Sequence, residues 1–501
     1  MIENAAAAPF ETARERRWMV AVVALAIFVL FPYRHFAGDD AYISFRFAQN
    51  LATAHGFSFN PDQPTYGSTS PLWVGLLAAT GRAGFSIIDG GHLLDALSAL
   101  LLIPVFFRLS GVYIASLHMR VLASALLILD PWFVRWAMSG MENVLALLLL
   151  CVVMLAQQRQ RGRAGVSVIA PLCCGLGILT RPEFAVFGAL LFVDTIAFEK
   201  TYRTKKVAIY SLVGAMVIMP WLVYAWAHFG TIVPNTITAK ISRNRGASLF
   251  GTLKYFGSFF TFEATGLALV LLLEFKRILT VLRNPEGQSR WFLPVSWMLA
   301  LPTFYAVGGA PVAGRYLLLG LPAYLLLGVR GWELLLALGA RQPWVRATVV
   351  AFVALTLALV MDVQARYDWY LTKWPEGMSP RLVELARWLR ANAGPDDLIA
   401  ADQVGVLGYF SERRILDVAG LISPEMQPAR RQGEKAIWEA VRRADPQWII
   451  ALDDKAHLVS VVPDLASLEL VDVYEIQREG AQSAGGTLAY KLFRTGWRKD
   501  D

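Results

Sequence analysis

The sequence predicts a polytopic α-helical membrane protein of about eleven spans, followed by a soluble α/β domain. Three observations carry that expectation. Of 501 residues, 56% are hydrophobic and only 17% are charged, against about 25% charged in ordinary soluble domains. Long apolar runs recur through the first three quarters of the chain, separated by short basic clusters. From about Gln364 the composition returns to that of a water-soluble protein. The expected division is therefore 1–363 in the membrane and 364–501 outside it.

The first run, Trp18 to Pro32, follows Arg14, Arg16 and Arg17. No A-x-A cleavage pattern follows, so the segment reads as a signal anchor with its N-terminus in the cytoplasm. Ten further runs lie near 91–109, 112–131, 138–156, 165–180, 184–198, 207–227, 251–275, 291–307, 316–337 and 345–363. The runs 165–180 and 184–198 are short against the ~20 residues a span needs. With eleven crossings, the clusters Arg159/Arg161/Arg163, Lys200/Arg203/Lys205/Lys206, Lys276/Arg277/Arg283/Arg290 and Arg341/Arg346 all fall on the cytoplasmic side. The net charge of +8 is thus the positive-inside pattern and not a nucleic-acid surface. Cys151, Cys173 and Cys174 lie in apolar runs without metal-ligand spacing, so no disulfide framework or zinc site is expected.

The loop over residues 37–91 emerges on the outer face, which is the periplasm if the source is a Gram-negative bacterium and its inner membrane is the one crossed. It opens with Gly38-Asp39-Asp40-Ala41-Tyr42. Ala41 to Ala54 reads as an amphipathic helix lying along the membrane surface, with Tyr42, Phe45, Ala48, Leu51 and Ala52 on one side. Turn chemistry follows at Asn60-Pro61-Asp62 and Tyr66 to Pro71, then an apolar piece, Leu72 to Thr80, too short to span. In the soluble part, Pro380 to Ala391 and Glu434 to Ala444 read as helices. Strands are expected at Leu398–Ala401, Ile415–Val418, Gln447–Leu452, Leu468–Ile476 and Thr487–Phe493.

Asp39 and Asp40 are the leading catalytic candidates. Neighbouring carboxylates raise one another's pKa, and partial desolvation acts in the same direction, which suits a base that deprotonates a hydroxyl. The bland alternative is that one of them caps the following helix. Arg181, in Thr180-Arg181-Pro182-Glu183, can bind a phosphate or simply pair with an acid at two helix ends. Glu142 is either a site acid or a helix-start acid favoured by the macrodipole. Asn235, Thr236 and Lys240 offer an amide, a hydroxyl and a cation in one loop, and Arg315-Tyr316 offers a cation and a phenol where a helix re-enters the membrane. His55 has no acid partner evident in the sequence and is a weak ligand candidate. No Walker A, GxGxxG, HExxH or GxSxG pattern occurs. An outer-face site has no supply of ATP or nucleotide sugar, so an activated lipid donor is the economical substrate.

Asp39-Asp40-Ala41-Tyr42-Ile43-Ser44-Phe45-Arg46, followed by Gly56 to Asn60 and Gly67 to Trp73, resembles the GT-C superfamily of integral-membrane glycosyltransferases. The nearest branch is that of the terminal arabinofuranosyltransferases. Ser139-Gly140-Met141-Glu142, Thr180 to Glu183, Pro234-Asn235-Thr236 with Lys240, and Gly314-Arg315-Tyr316 fit the same branch; Gly405, Gly408, Asp417 and Gly420-Leu421 fit more loosely. The resemblance implies a GT-C fold, a polyprenyl-phosphate sugar donor, inversion at the anomeric carbon, and an acid of the first loop as base, Asp39 or Asp40 with Asp39 favoured. It makes Arg181, Lys240, Arg315 and Tyr316 candidates for the donor phosphate. Glu142, Glu183, Asn60, Ser70, Asn235, Thr236 and His55 become candidates for sugar hydroxyls or loop positioning. A divalent cation, Mg or Mn, at Asp39 and Asp40 with help from Glu142 or Glu183 stays open. The acceptor implied is a cell-envelope glycan or glycolipid, the sugar arabinofuranose or a hexose. A glycolipid transporter and a non-catalytic lipid-binding subunit are the alternatives; the scarcity of mid-span charges speaks against the first.

Overall fold

The computed structural model describes residues 12–163, 165–240, 285–308, 314–339, 380–452, 468–476 and 488–497, with isolated residues between 343 and 358. Among them, six helices are long and apolar enough to cross a membrane: Ala13–Tyr33, Ile87–Tyr113, Asn143–Gln160, Arg203–Phe229, Arg290–Gly308 and Arg315–Ala337. A seventh crossing arises if the pair Leu117–Leu129 and Pro131–Ala137, bent by 58°, is one broken span. The short runs form the apolar helices Ile169–Thr180 and Phe184–Phe198. The expected run 251–275 and the boundary near 363 lie outside the described residues, as does most of 345–363.

The helices begin and end where local chemistry requires. α1 (Ala13–Leu30) starts on a capping box in which Thr12 and Glu15 satisfy each other's backbone amides. α2 (Asp39–Ala52) and α3 (Pro71–Arg82) make up the first loop, and α4 (Ile87–Tyr113) starts on Ser86, whose hydroxyl accepts the Asp89 amide. α5 (Leu117–Leu129) gives way to α6 (Pro131–Ala137) at Asp130, whose carboxylate accepts from Phe133 N at 2.8 Å with Pro131 in the first turn. α7 (Asn143–Gln160), α8 (Ile169–Thr180), α9 (Phe184–Phe198) and α10 (Arg203–Phe229) follow, and α10 stops at the left-handed Gly230. α11 (Asn235–Lys240), α12 (Pro285–Gly308), α13 (Gly314–Leu317) and α14 (Leu321–Gly339) complete this part.

The α/β part holds α15 (Pro380–Asn392), β1 (Leu398–Ala401), α16 (Val404–Ser411), β2 (Arg414–Asp417), α17 (Gln427–Gln432), α18 (Glu434–Ala444), β3 (Trp448–Leu452), β4 (Leu468–Ile476) and β5 (Leu488–Thr495). Its sheet has the order β2-β1-β3-β5-β4. The β1 strand pairs parallel with β2 and β3, while β5 runs antiparallel to both β3 and β4. The expected strands and two of the helices are present, whereas α16 and α17 were not expected. That segment, Val404 to Ser411, is uniformly apolar with two glycines and shows no helical stripe.

α2 departs from expectation in its surroundings. Ala41, Tyr42, Ser44, Phe45, Arg46, Phe47, Ala48 and Asn50 are all buried by protein, so α2 is not a helix resting on the membrane surface. It is a shared core element, packed between α3 and α4 on one side and α16 on the other. Tyr42 meets Tyr409 and Phe410 with ring centroids 5.6 and 5.3 Å apart, and Phe45 meets Tyr409 at 6.1 Å. Such pairs contribute about 0.5–1.5 kcal/mol each beyond area burial. The first loop is thereby fixed to the α/β part before any site residue is considered.

Candidate active site

Three segments distant in sequence, at Trp73, Asp95 and Ser139–Gly140, meet beside the start of α2. Gly38 N donates to Ser139 O at 3.1 Å, and Trp73 Nε1 donates to Gly140 O at 3.1 Å. The Gly140 amide donates to the buried Asp95 carboxylate at 2.7 Å. Gly140 sits at φ +74°, and a Cβ there would lie 2.5 Å from the Phe45 ring, so both backbone angle and space demand glycine. The Ser139-Gly140-Met141-Glu142 motif is thus a latch between α2 and the mouth of α7.

Asp39 and Asp40 occupy the first turn of α2. The N-cap is Gly38 and neither carboxylate caps the helix. Asp39 Oδ1 accepts a hydrogen bond from Val406 N at 3.1 Å; Oδ2 has no hydrogen-bond partner among the described residues. Burial and the adjacent Asp40 push the Asp39 carboxyl up to about 7, with Asp402 adding to the rise and the Val406 amide and Arg315 opposing it. Asp40 is ion-paired with Arg315. One acid is therefore neutralised by a cation, and the other titrates near neutrality.

Arg315 and Tyr316 lie on α13. The Arg315 guanidinium lies over Trp136 at 5.4 Å and over Tyr316 at 5.2 Å. Arg181 lies over the same Tyr316 ring at 5.5 Å, and Tyr316 stacks on Tyr305 at 5.2 Å. Arg181 donates to Glu183 at 2.6 Å, to Glu142 at 3.1 Å and to Asn143 Oδ1 at 2.7 Å. Burial works against its charge, and Glu183, Tyr305 and Glu142 more than offset it. A continuous chain runs from Asp40 through Arg315, Tyr316 and Arg181 to the two glutamates. Beside it, Trp136 Nε1 and Asn143 Nδ2 are buried and unpaired among the described residues.

The other candidates hold loops. Asn60 exchanges both bonds with the Ile415 backbone, each at 2.9 Å. Asn235 N donates to Tyr66 O at 2.8 Å, its side chain donates to Thr65 at 3.2 Å, and Gln427 donates to its carbonyl at 3.3 Å. Buried Ser70 precedes α3 and its amide donates to Ser68 Oγ. Thr236 is buried, and its hydroxyl is unpaired among the described residues; Lys240 is the last residue of α11. His55 lies on an exposed edge, 3.2 Å from Asp62, and is not brought to the acids.

The acids do not assemble a cation site. Among the described residues no group of three or more His, Cys, Asp or Glu side chains could hold a metal ion. Asp40 is committed to Arg315, and Glu142 and Glu183 to Arg181, so the donor set considered from the sequence does not fit Mg or Mn.

Four participants lie outside the candidates that the sequence offers. Asp95 is a lone acid in an apolar run, and an ionisable residue inside a span is itself a signal. Trp136 and Tyr305 carry no sequence signal beyond aromaticity. Val406 acts through its backbone, which no side-chain pattern reveals.

Residues 369–497 match a family model described as a domain of unknown function, DUF8728. Over 235 residues the chain is 26% identical to the terminal beta-(1->2)-arabinofuranosyltransferase of Mycobacterium tuberculosis, covering 43% of this chain and 37% of that relative. The chain thus spans little more than a third of that relative's length. The crystal structure of ArnT from Cupriavidus metallidurans bound to undecaprenyl phosphate superposes with a TM-score of 0.60 at 14% identity, covering 95% of this chain and 98% of the other. The oligosaccharyltransferase AglB of Archaeoglobus fulgidus, in complex with an inhibitory peptide and a dolichol-phosphate, gives 0.56 at 12% identity over 88% and 70%. The chain has the fold that these GT-C glycosyltransferases share.

Proposed function

We propose that this GT-C-fold chain is an inverting glycosyltransferase that moves a sugar, arabinofuranose or a hexose, from a polyprenyl-phosphate donor to a cell-envelope glycan or glycolipid acceptor. The site faces the outer side of a bacterial inner membrane. The observation that carries the reading is Asp39: a carboxyl tuned to about 7 by burial and Asp40, with one oxygen held and the other unpaired among the described residues. A base poised near the working pH is what proton removal from a sugar hydroxyl requires.

In the reaction, the acceptor hydroxyl attacks the anomeric carbon from the face opposite the phosphate. As the new C–O bond forms, the bond to the phosphate oxygen breaks and its electron pair leaves with polyprenyl phosphate. Asp39 takes the hydroxyl proton. Arg315, held by Asp40, faces the leaving phosphate, where a fixed cation stabilises the charge that develops. Tyr316 keeps Arg315 and Arg181 in register, and Arg181 holds Glu142 and Asn143 at the mouth of α7. Lys240 supplies a further cation from α11, and Thr236 a hydroxyl. The undecaprenyl phosphate and dolichol phosphate bound by proteins of the same fold support a polyprenyl carrier here.

Purified protein in lipid nanodiscs, supplied with a panel of polyprenyl-phosphate sugars and envelope glycolipids, tests this directly. Release of polyprenyl phosphate coupled to sugar on the acceptor is expected. Donor that crosses a vesicle bilayer without covalent transfer would replace the reading with a transporter.

A further inference from the structure

The matched domain of unknown function touches the site at one point that loop packing alone does not require. The first turn of α16 is laid against the first turn of α2, so the free amide of Val406 meets Asp39 Oδ1 at 3.1 Å. The first four amides of a helix have no partner within it, and here a carboxylate from another part of the chain takes one. The preceding residue is Gly405, where a Cβ would lie 2.2 Å from Asp39 O and 2.9 Å from Asp39 Oδ1. Backbone is therefore in contact with backbone, and no other residue type permits that approach. Around this contact the two parts are fastened at Tyr42 with Phe410 and at Asn60 with Ile415.

We propose that the C-terminal domain completes the active site, with Val406 as a positioning residue whose amide fixes the carboxylate of Asp39 and aims its second oxygen at the acceptor hydroxyl. This inference rests on the function proposed above. It gives the domain a role in turnover distinct from acceptor binding. The charged groups facing Asp39 come from three elements: Asp40 beside it on α2, Arg315 on α13, and Asp402 just before α16. The domain thus contributes one group that lowers the Asp39 pKa, the Val406 amide, and one that raises it, Asp402.

Two variants of the full chain separate positioning from simple structural support. Val406→Pro removes the amide in the first turn of α16, where no intrahelical bond is lost, and its Cδ takes the place of the proton, so the Asp39 carboxylate is released from α16 and must move away from it. Asp402→Asn removes a charge with little change of shape. Two readouts are taken in nanodiscs: the pH dependence of Asp39 modification by a carbodiimide, followed by peptide mass spectrometry, and steady-state turnover. In Val406→Pro the half-modification pH rises by about half a unit or more. Its kcat falls on the order of tenfold, with donor KM held. In Asp402→Asn the half-modification pH falls. Wild-type titration and unchanged kcat in Val406→Pro would overturn the inference. If that variant does not accumulate, Asp402→Asn decides, and an unshifted titration there overturns it. A wild type that modifies as expected but transfers no sugar would count against the proposed reaction while leaving the contact measured.

Discussion

Asp40 and Arg315, 275 positions apart in sequence, form an ion pair beside Asp39. The pair sets the charge that the neighbouring acid experiences. Asp40 raises the Asp39 pKa because a second negative charge disfavours ionisation; Arg315 lowers it because a positive charge favours ionisation. A base works only when deprotonated, so turnover rises with pH through its pKa. In Asp40→Asn the acid limb of kcat/KM therefore moves to lower pH, and in Arg315→Gln it moves to higher pH. Arg315→Gln also loses leaving-group stabilisation, on the order of a hundredfold in kcat. Paired pH–rate profiles of the two variants check both signs.

Arg181 is the counter-ion of two buried carboxylates, Glu142 and Glu183. Removing one partner of such a network leaves charge buried without compensation, which costs about 3–5 kcal/mol. Arg181→Met is expected to lower the amount of folded protein recovered from membranes, measured by detergent gel filtration. Removing the acids together with the arginine, in Arg181→Met with Glu142→Gln and Glu183→Gln, restores part of that amount. The triple variant remains slow, because Asn143 and Tyr316 lose the group that aligns them.

Since Asp40, Glu142 and Glu183 are paired with arginines, turnover is expected to persist in the presence of a strong chelator. Activity assayed before and after chelation, and after adding back Mg or Mn, checks this. Loss on chelation with recovery on adding metal would show that the acids rearrange around a cation when substrate binds.

Asp417 closes β2 and accepts the amides of Ala419, Leu421 and Ile422. Asp417→Ala leaves those buried donors unmet, a cost of about 1–3 kcal/mol for each unsatisfied group, not fully additive. Thermal unfolding of the full chain in detergent is expected to show an earlier transition, and turnover falls with it because β2 carries Ile415, the anchor for Asn60.

Much of this was legible in the residues because it is written in side chains. Hydrophobic runs and basic clusters mark helices such as α4, α7 and α10, and a short continuous apolar run marks β3. The paired acids, the Ser139 to Glu142 motif, Arg181 and Arg315 stand out as polar groups at helix ends, and the structure brings them together. What stayed hidden is carried by backbone and by long-range pairing. The Val406 amide, the burial of α2 between two parts of the chain, and the choice of Arg315 as partner for Asp40 have no local signature. Asn60 and Asn235 look like sugar-binding amides, yet their hydrogen bonds go to backbone and side chains of neighbouring loops.

The most direct measurement of the central claim is transfer by wild type and Asp39→Asn, side by side, in nanodiscs with a donor the wild type uses, across a series of pH values. The expected wild-type rate rises with an apparent pKa near 7. The expected variant is folded and slowed on the order of 10²–10⁴-fold, with no such rise. A variant that turns over at nearly the wild-type rate with the same pH profile would show that Asp39 is not the base.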